Sequence, residues 1–305
     1  MSPYDSSSQV YTMRIQAAPG SPAELRYLDR TALASGLAPD PHEDLIFRGG
    51  KTVPQMEFQN IFLGSAGDWP KGNVKSIDAA ITLAMRDKRL NNVMLQYFRG
   101  STVTCDPRPH VVLGGAKPQR LDEPGVQAAV ISLFDTGKIT KTNLGTTIFN
   151  LALPPGTVLT LDFDTPVRGL GGYHGSVHIQ RGGQRVTLYY SANVYSEVLP
   201  SGLHNGIPVF KDSWKNVVAT LCHEINEFRT DPDVSDAPSG GFDALGWNAR
   251  SGKECGDQPI VATHGHLERV FQEVTVANST TSIPVQFMYS NAVLGAEGPI
   301  DNPHA

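Results

Sequence analysis

No stretch of the 305-residue sequence approaches the roughly 18 consecutive apolar residues of a membrane-spanning helix, so no such span is expected. Positive charge is scarce too. Twenty-five Lys and Arg stand against thirty Asp and Glu, for a formal net charge of −5, and the basic residues form no cluster. That gives no electrostatic case for nucleic acid or an anionic membrane surface as partner. Cysteine is limited to Cys105, Cys222 and Cys255, with no C-x-x-C pair, which excludes a complete disulfide framework. No G-x-G-x-x-G or G-x-x-x-x-G-K-[ST] follows a candidate strand, so nucleotide binding has no support. The first residues, MSPYDSSSQVYTMRIQ, lack the basic and apolar regions of a signal peptide. A cytoplasmic protein, or an exported one with its signal removed, is expected.

What is plentiful is Gly (30) and Pro (22), which calls for many turns and a mixed α/β (α+β) fold rather than a bundle. Residues 1–55, rich in Ser, Pro, Ala and Gly, read as an irregular N-terminal arm packed on the body, its first ten residues disordered. Residues 56–305 read as one domain, an α/β half over 56–150 and a strand-rich half over 151–305. Within the first half the pattern predicts strands over 59–64 and 111–113. Helices are predicted from about Asn73, over 90–98, and over 125–134 with Pro124 in the first turn. Strands over 157–163, 176–180 and 185–195 follow, the last two joined by Arg181-Gly182-Gly183-Gln184. A last strand is expected over 284–289, then a loose tail.

The chemistry gathers around residues 212–233. Trp214, Val217, Val218, Leu221, Cys222 and Ile225 recur at helical spacing, predicting an amphipathic helix at about 213–229. Asp212 or Ser213 can cap its start, and Asp231-Pro232 stops it. Opposite the apolar stripe fall His223 and Glu227, an i, i+4 pair on one face, with Glu224 on the flank. His-Glu-x-x-Glu differs by one residue from the zinc-binding His-Glu-x-x-His, whose glutamate is a general base.

A catalytic zinc site needs one more ligand from another element. Asp243, Glu254 and Asp257 offer oxygens in the glycine-rich sequel; His264 and His266 form a second candidate pair. Asp231 and Asp233, close to the helix end, read as cap or turn residues. Tyr173 and His174, in Gly172-Tyr173-His174-Gly175 before a strand, are candidates for lining a cleft, and the 176–180 strand for an edge that pairs with an extended substrate.

Residues 220–233 (TLCHEINEFRTDPD), Gly246-Trp247 and residues 252–257 (GKECGD) together resemble bacterial and fungal relatives of the plant exordium (phosphate-induced) family. Gly172-Tyr173-His174-Gly175 is similar to a segment of the same family, and residues 61–97 fit more loosely. The resemblance implies a zincin-like metalloprotease fold with a mixed sheet. It implies Zn2+ held by His223, Glu227 and Glu254, with Asp257 orienting His223. Glu224 is then the general base, more heavily relied on because two carboxylates leave the metal less positive, and Tyr173 or His174 stabilises an oxyanion. The expected activity is zinc-dependent hydrolysis of peptide or amide bonds. Alternatives are a metal-dependent lyase or cyclase on a small molecule, and a non-catalytic exordium-like binding protein with a structural metal closed by His264 or His266.

Overall fold

The computed structural model describes residues 33–98, 102–161, 170–236, 241 and 244–300. Its main sheet has five strands: β1 (Gln55–Phe62), β2 (Thr104–Val112), β3 (Thr147–Ala152), β4 (Gly172–Arg181) and β5 (Gln184–Asn193). They lie in the order β2-β1-β3-β5-β4; the first four are parallel and β4 runs antiparallel to β5 at the edge. The sheet takes strands from both sides of residue 150, so the two halves named from the sequence share it.

The sequence predicts no strand over 147–152, yet β3 is central. All six of its residues are buried, so no apolar–polar alternation marks it. β2 begins well before the expected 111–113. Pro107 and Pro109 hide it, but both sit on one side of an edge strand, where a missing N–H costs no ladder bond. The β4–β5 turn forms as expected. Gly182 (φ 60°) and Gly183 (φ 79°) both take the left-handed conformation that a two-residue hairpin loop requires.

Helix α1 (Asn73–Arg86) and helix α3 (Ser213–Thr230) cover one face of the sheet, packing Ile77, Ile81, Val217, Val218, Leu221, Ile225 and Phe228 with Phe58, Phe62 and Ile148. Helix α2 (Glu123–Asp135) covers the other, where Val126, Val130 and Phe134 meet Ile61, Phe149 and Leu188. Each such side chain contributes roughly 1.5–3 kcal/mol by burial. The 90–98 helix is a short α-turn, Lys88–Asn91, continuing as a 3₁₀ segment, Asn92–Tyr97. Of the expected 157–163 strand only Val158–Thr160 forms, paired with Arg120–Asp122; 162 and 163 lie outside the described residues.

After α3 come helix α4 (Asp257–Ala262) and the hairpin of β6 (Phe271–Thr275) with β7 (Ser282–Gln286). The tail expected to be loose spans 295–305; its first residues, Gly295–Glu297, instead pair with Met288–Ser290 in a second hairpin, and 301–305 lie outside the described residues. Leu33 bridges to Glu297 and packs with Val293 and Ile300, which ties the end down. From residue 33 onward the arm is attached to the body. Leu45 and Val53 are in the core, and Ile46–Phe47 pairs with Trp247–Asn248. The first ten residues and the last five lie outside the described residues. Among the described residues no helix is long and apolar enough to cross a membrane.

Candidate metal centre

Helix α3 has no wet side. Glu224 and Glu227, opposite its apolar stripe, are 2% and 3% exposed, because β4 and the segment leading into α4 close over them. Glycines permit the approach. A Cβ on Gly172 would stand 2.8 Å from Thr220 Cγ2 and 3.0 Å from Glu224 Oε1; one on Gly256 would stand 2.5 Å from His223 Nδ1.

Three elements therefore deliver side chains to one place. From α3, His223 Nε2 lies 3.0 Å from Glu227 Oε2 and 4.0 Å from Glu224 Oε1. From β4, His174 Nδ1 lies 3.4 Å from Glu224 Oε2 and 3.6 Å from Glu227 Oε2. From the third, Asp257 Oδ1 lies 3.8 Å from His223 Nε2, and Glu254 Oε1 lies 3.7 Å from His174 Nε2. Glu227 Oε1 is held by the backbone N–H groups of Gly256 (3.1 Å) and Asp257 (3.2 Å), which aims its other oxygen at the histidines.

Each imidazole has one nitrogen committed elsewhere. His174 Nε2 donates to the Asp231 carbonyl at 3.1 Å. His223 Nδ1 donates to Gln286 Oε1 at 3.0 Å, and Gln286 Nε2 donates in turn to the Gly256 carbonyl at 2.6 Å, which orients the amide. Such partners fix the tautomer and direction of metal-binding histidines. Glu224 Oε2 and Glu254 Oε1 are buried with no hydrogen-bond partner among the described residues. A carboxylate oxygen in that state is costly unless a cation reaches it.

Electrostatics follow from this crowding. Burial opposes charge on both imidazoles, but Glu254, Glu224 and Glu227 hold His174 well above the usual histidine range, and Glu227 and Glu224 do the same for His223. Burial raises Glu227, yet the two histidines bring it below the usual carboxylate range. Burial and then the charge of Glu227 push Glu254 well up and Asp257 up to about 6. Burial likewise pushes Asp231 up to about 6. The side chain of Asp257 is 47% exposed against 2% for Glu224, so the cluster opens to solvent on the Asp257 side.

The structure thus brings together His174, His223, Glu224, Glu227, Glu254 and Asp257. It separates Tyr173 from them, correcting its pairing with His174: alternation along β4 sends Tyr173 to the opposite sheet face, edge-on to Tyr190 at 6.3 Å. Asp257, not Glu254, joins His223 and Glu227 in a set whose ligand atoms lie within 4.8 Å of one another. The reason is that Asp257 opens α4 and turns its Oδ2 back to the Glu254 N–H (3.2 Å), with Oδ1 toward His223. His264 and His266 are exposed, and His266 faces Glu268 at 3.3 Å, so neither belongs to the cluster. Asp231 and Asp233 serve as expected. Asp231 caps α3 and accepts from the Gly246 N–H, and Asp233 accepts from the Tyr189 hydroxyl. Asp243 lies outside the described residues. Sequence reasoning missed Gln286 and the Asp231 carbonyl. A lone glutamine within the apolar run of β7 was the only available signal for the first.

Comparisons with family models, with characterised proteins and with solved structures give no match for this chain. The chemistry of the centre rests on its geometry.

Proposed function

We propose that the chain is a divalent-metal-dependent hydrolase of peptide or other amide bonds, with zinc as the metal. The observation that carries this is the pair of clamped imidazoles whose remaining nitrogens face buried carboxylates: His223 Nε2 lies 3.0 Å from Glu227 Oε2, and His174 Nδ1 lies 3.4 Å from the unpartnered Glu224 Oε2. His223, Glu227 and Asp257 are the proposed ligands, a nitrogen and two oxygens of the kind zinc accepts. A cation bound there supplies Lewis-acid polarisation of a carbonyl oxygen and acidifies water. Glu224, held on the α3 flank, is positioned to take the proton of the attacking water through Oε1. His174 has Nε2–H spent on Asp231, so its part is to face the cation and carboxylates through Nδ1 rather than to donate to an oxyanion. An antiparallel edge strand beside the His-Glu-x-x-Glu helix supports the zincin-like reading. Solvent access at Asp257 favours a catalytic over a closed structural metal.

The test is cleavage of a fluorogenic peptide library. Activity should vanish with chelator, return with Zn2+, and fall at least ~100-fold in Glu224→Gln with the fold intact, the scale of a lost general base. Cleavage indifferent to both chelator and Glu224→Gln would refute the proposal.

A further inference from the structure

Two sets of side chains in this cluster can each hold a cation, and they share one residue. His223, Glu227 and Asp257 form the first; His174, Glu224 and Glu227 form the second, with ligand atoms again within 4.8 Å of one another. Neither set contains both histidines. Each set has its own imidazole, clamped by its own partner: Gln286 for His223 and the Asp231 carbonyl for His174. The other nitrogen of each faces a carboxylate oxygen, at 3.0 Å for His223 and 3.4 Å for His174. Glu224, 2% exposed, presents to His174 an Oε2 with no hydrogen-bond partner among the described residues.

We propose that the centre is dinuclear, with a first cation on His223, Glu227 and Asp257, a second on His174 and Glu224, and the Glu227 carboxylate shared between them. This rests on the reading of the cluster as a divalent-metal centre and adds the second site to it. Glu224 then binds through Oε2 and keeps Oε1, on its His223 side, to accept a proton. A paired-cation centre suits hydrolysis, because one cation polarises the bond attacked while the other stabilises the attacking or leaving group.

Zinc stoichiometry decides it. Chelator-stripped protein is loaded with Zn2+, freed of excess by gel filtration and assayed by elemental analysis, with thermal melting as the check on folding. Wild type should hold two zinc ions per chain, and His174→Gln and His223→Ala one each. One zinc in wild type, retained in His174→Gln, overturns the second site and leaves the hydrolase proposal intact. One zinc in wild type that is lost in both variants also overturns it, in favour of a single ion held between the histidines. No zinc at any loading overturns both proposals. If the variants do not fold, the wild-type value of two or one still decides.

Discussion

One row of side chains crosses the sheet at a single level, and its two ends obey different rules. Asn60 on β1, Asn150 on β3, Ser191 on β5 and His174 on β4 are consecutive cross-strand partners. The first three are fully buried, polar and neutral. Asn150 donates to Asn60 (3.0 Å), Ser191 to Asn150 (2.8 Å) and Asn193 to Ser191 (2.8 Å), while Asn60 donates to Asp78 (2.9 Å) on α1. Donors and acceptors alternate from Asn60 to Ser191, and within this set it is Asn193 Oδ1 that is left without a partner among the described residues. At His174 the neighbours are carboxylates, acceptors outnumber donors, and oxygens of Glu224 and Glu254 go without partners. Buried polarity alone therefore says little about function. What sets the His174 end apart is a group of carboxylate acceptors around two imidazoles, the imbalance that the proposed cations would answer.

The largest effect should come from the residue both cation sets share. Glu227→Ala should abolish zinc binding by elemental analysis, exceeding the roughly 10–100-fold loss typical of an outer-shell partner. Retention of zinc there would dissolve the contrast between the two ends of the row. Gln286→Ala, which frees His223 to rotate, should weaken zinc affinity by about 10–100-fold in a calorimetric titration. An unchanged affinity would remove Gln286 from the centre. Asn150→Ala probes the other end. It leaves Asn60 Oδ1 without its donor and Ser191 without its acceptor, at roughly 1–3 kcal/mol each by urea denaturation, with zinc content unchanged. Zinc lost in a folded Asn150→Ala protein would mean the two ends are one network. The smallest effect is expected at His178. It shares the β4 face with His174 but bonds instead to Thr187 and Asp236 in a partly exposed set. His178→Ala should cost no more than ~1 kcal/mol and leave zinc untouched.

Much of this was legible in the sequence where one periodicity or one stop signal suffices. Helix α3 shows its apolar stripe and its Asp231-Pro232 end, and His223, Glu224 and Glu227 follow from spacing alone. Features set by the partner of an element were harder. β3 is buried on both faces and has no alternation to read. Tyr173 and His174 are neighbours in sequence, and only the phase of β4 decides which one faces α3. The order of Glu254 and Asp257 around the histidines depends on where α4 begins, which a glycine-flanked segment does not announce. Gln286 belongs to no motif at all and is recruited by the packing of β7 on α3.

If bound cations complete the carboxylate end of the row, as proposed, the stability of the protein must depend on zinc. Chelator-stripped wild type should gain urea resistance with added Zn2+, by about 2.7 kcal/mol per site at a hundredfold excess over Kd, and the gain should be absent in Glu227→Ala. A stability that ignores zinc, or one that rises equally in wild type and Glu227→Ala, would contradict the account.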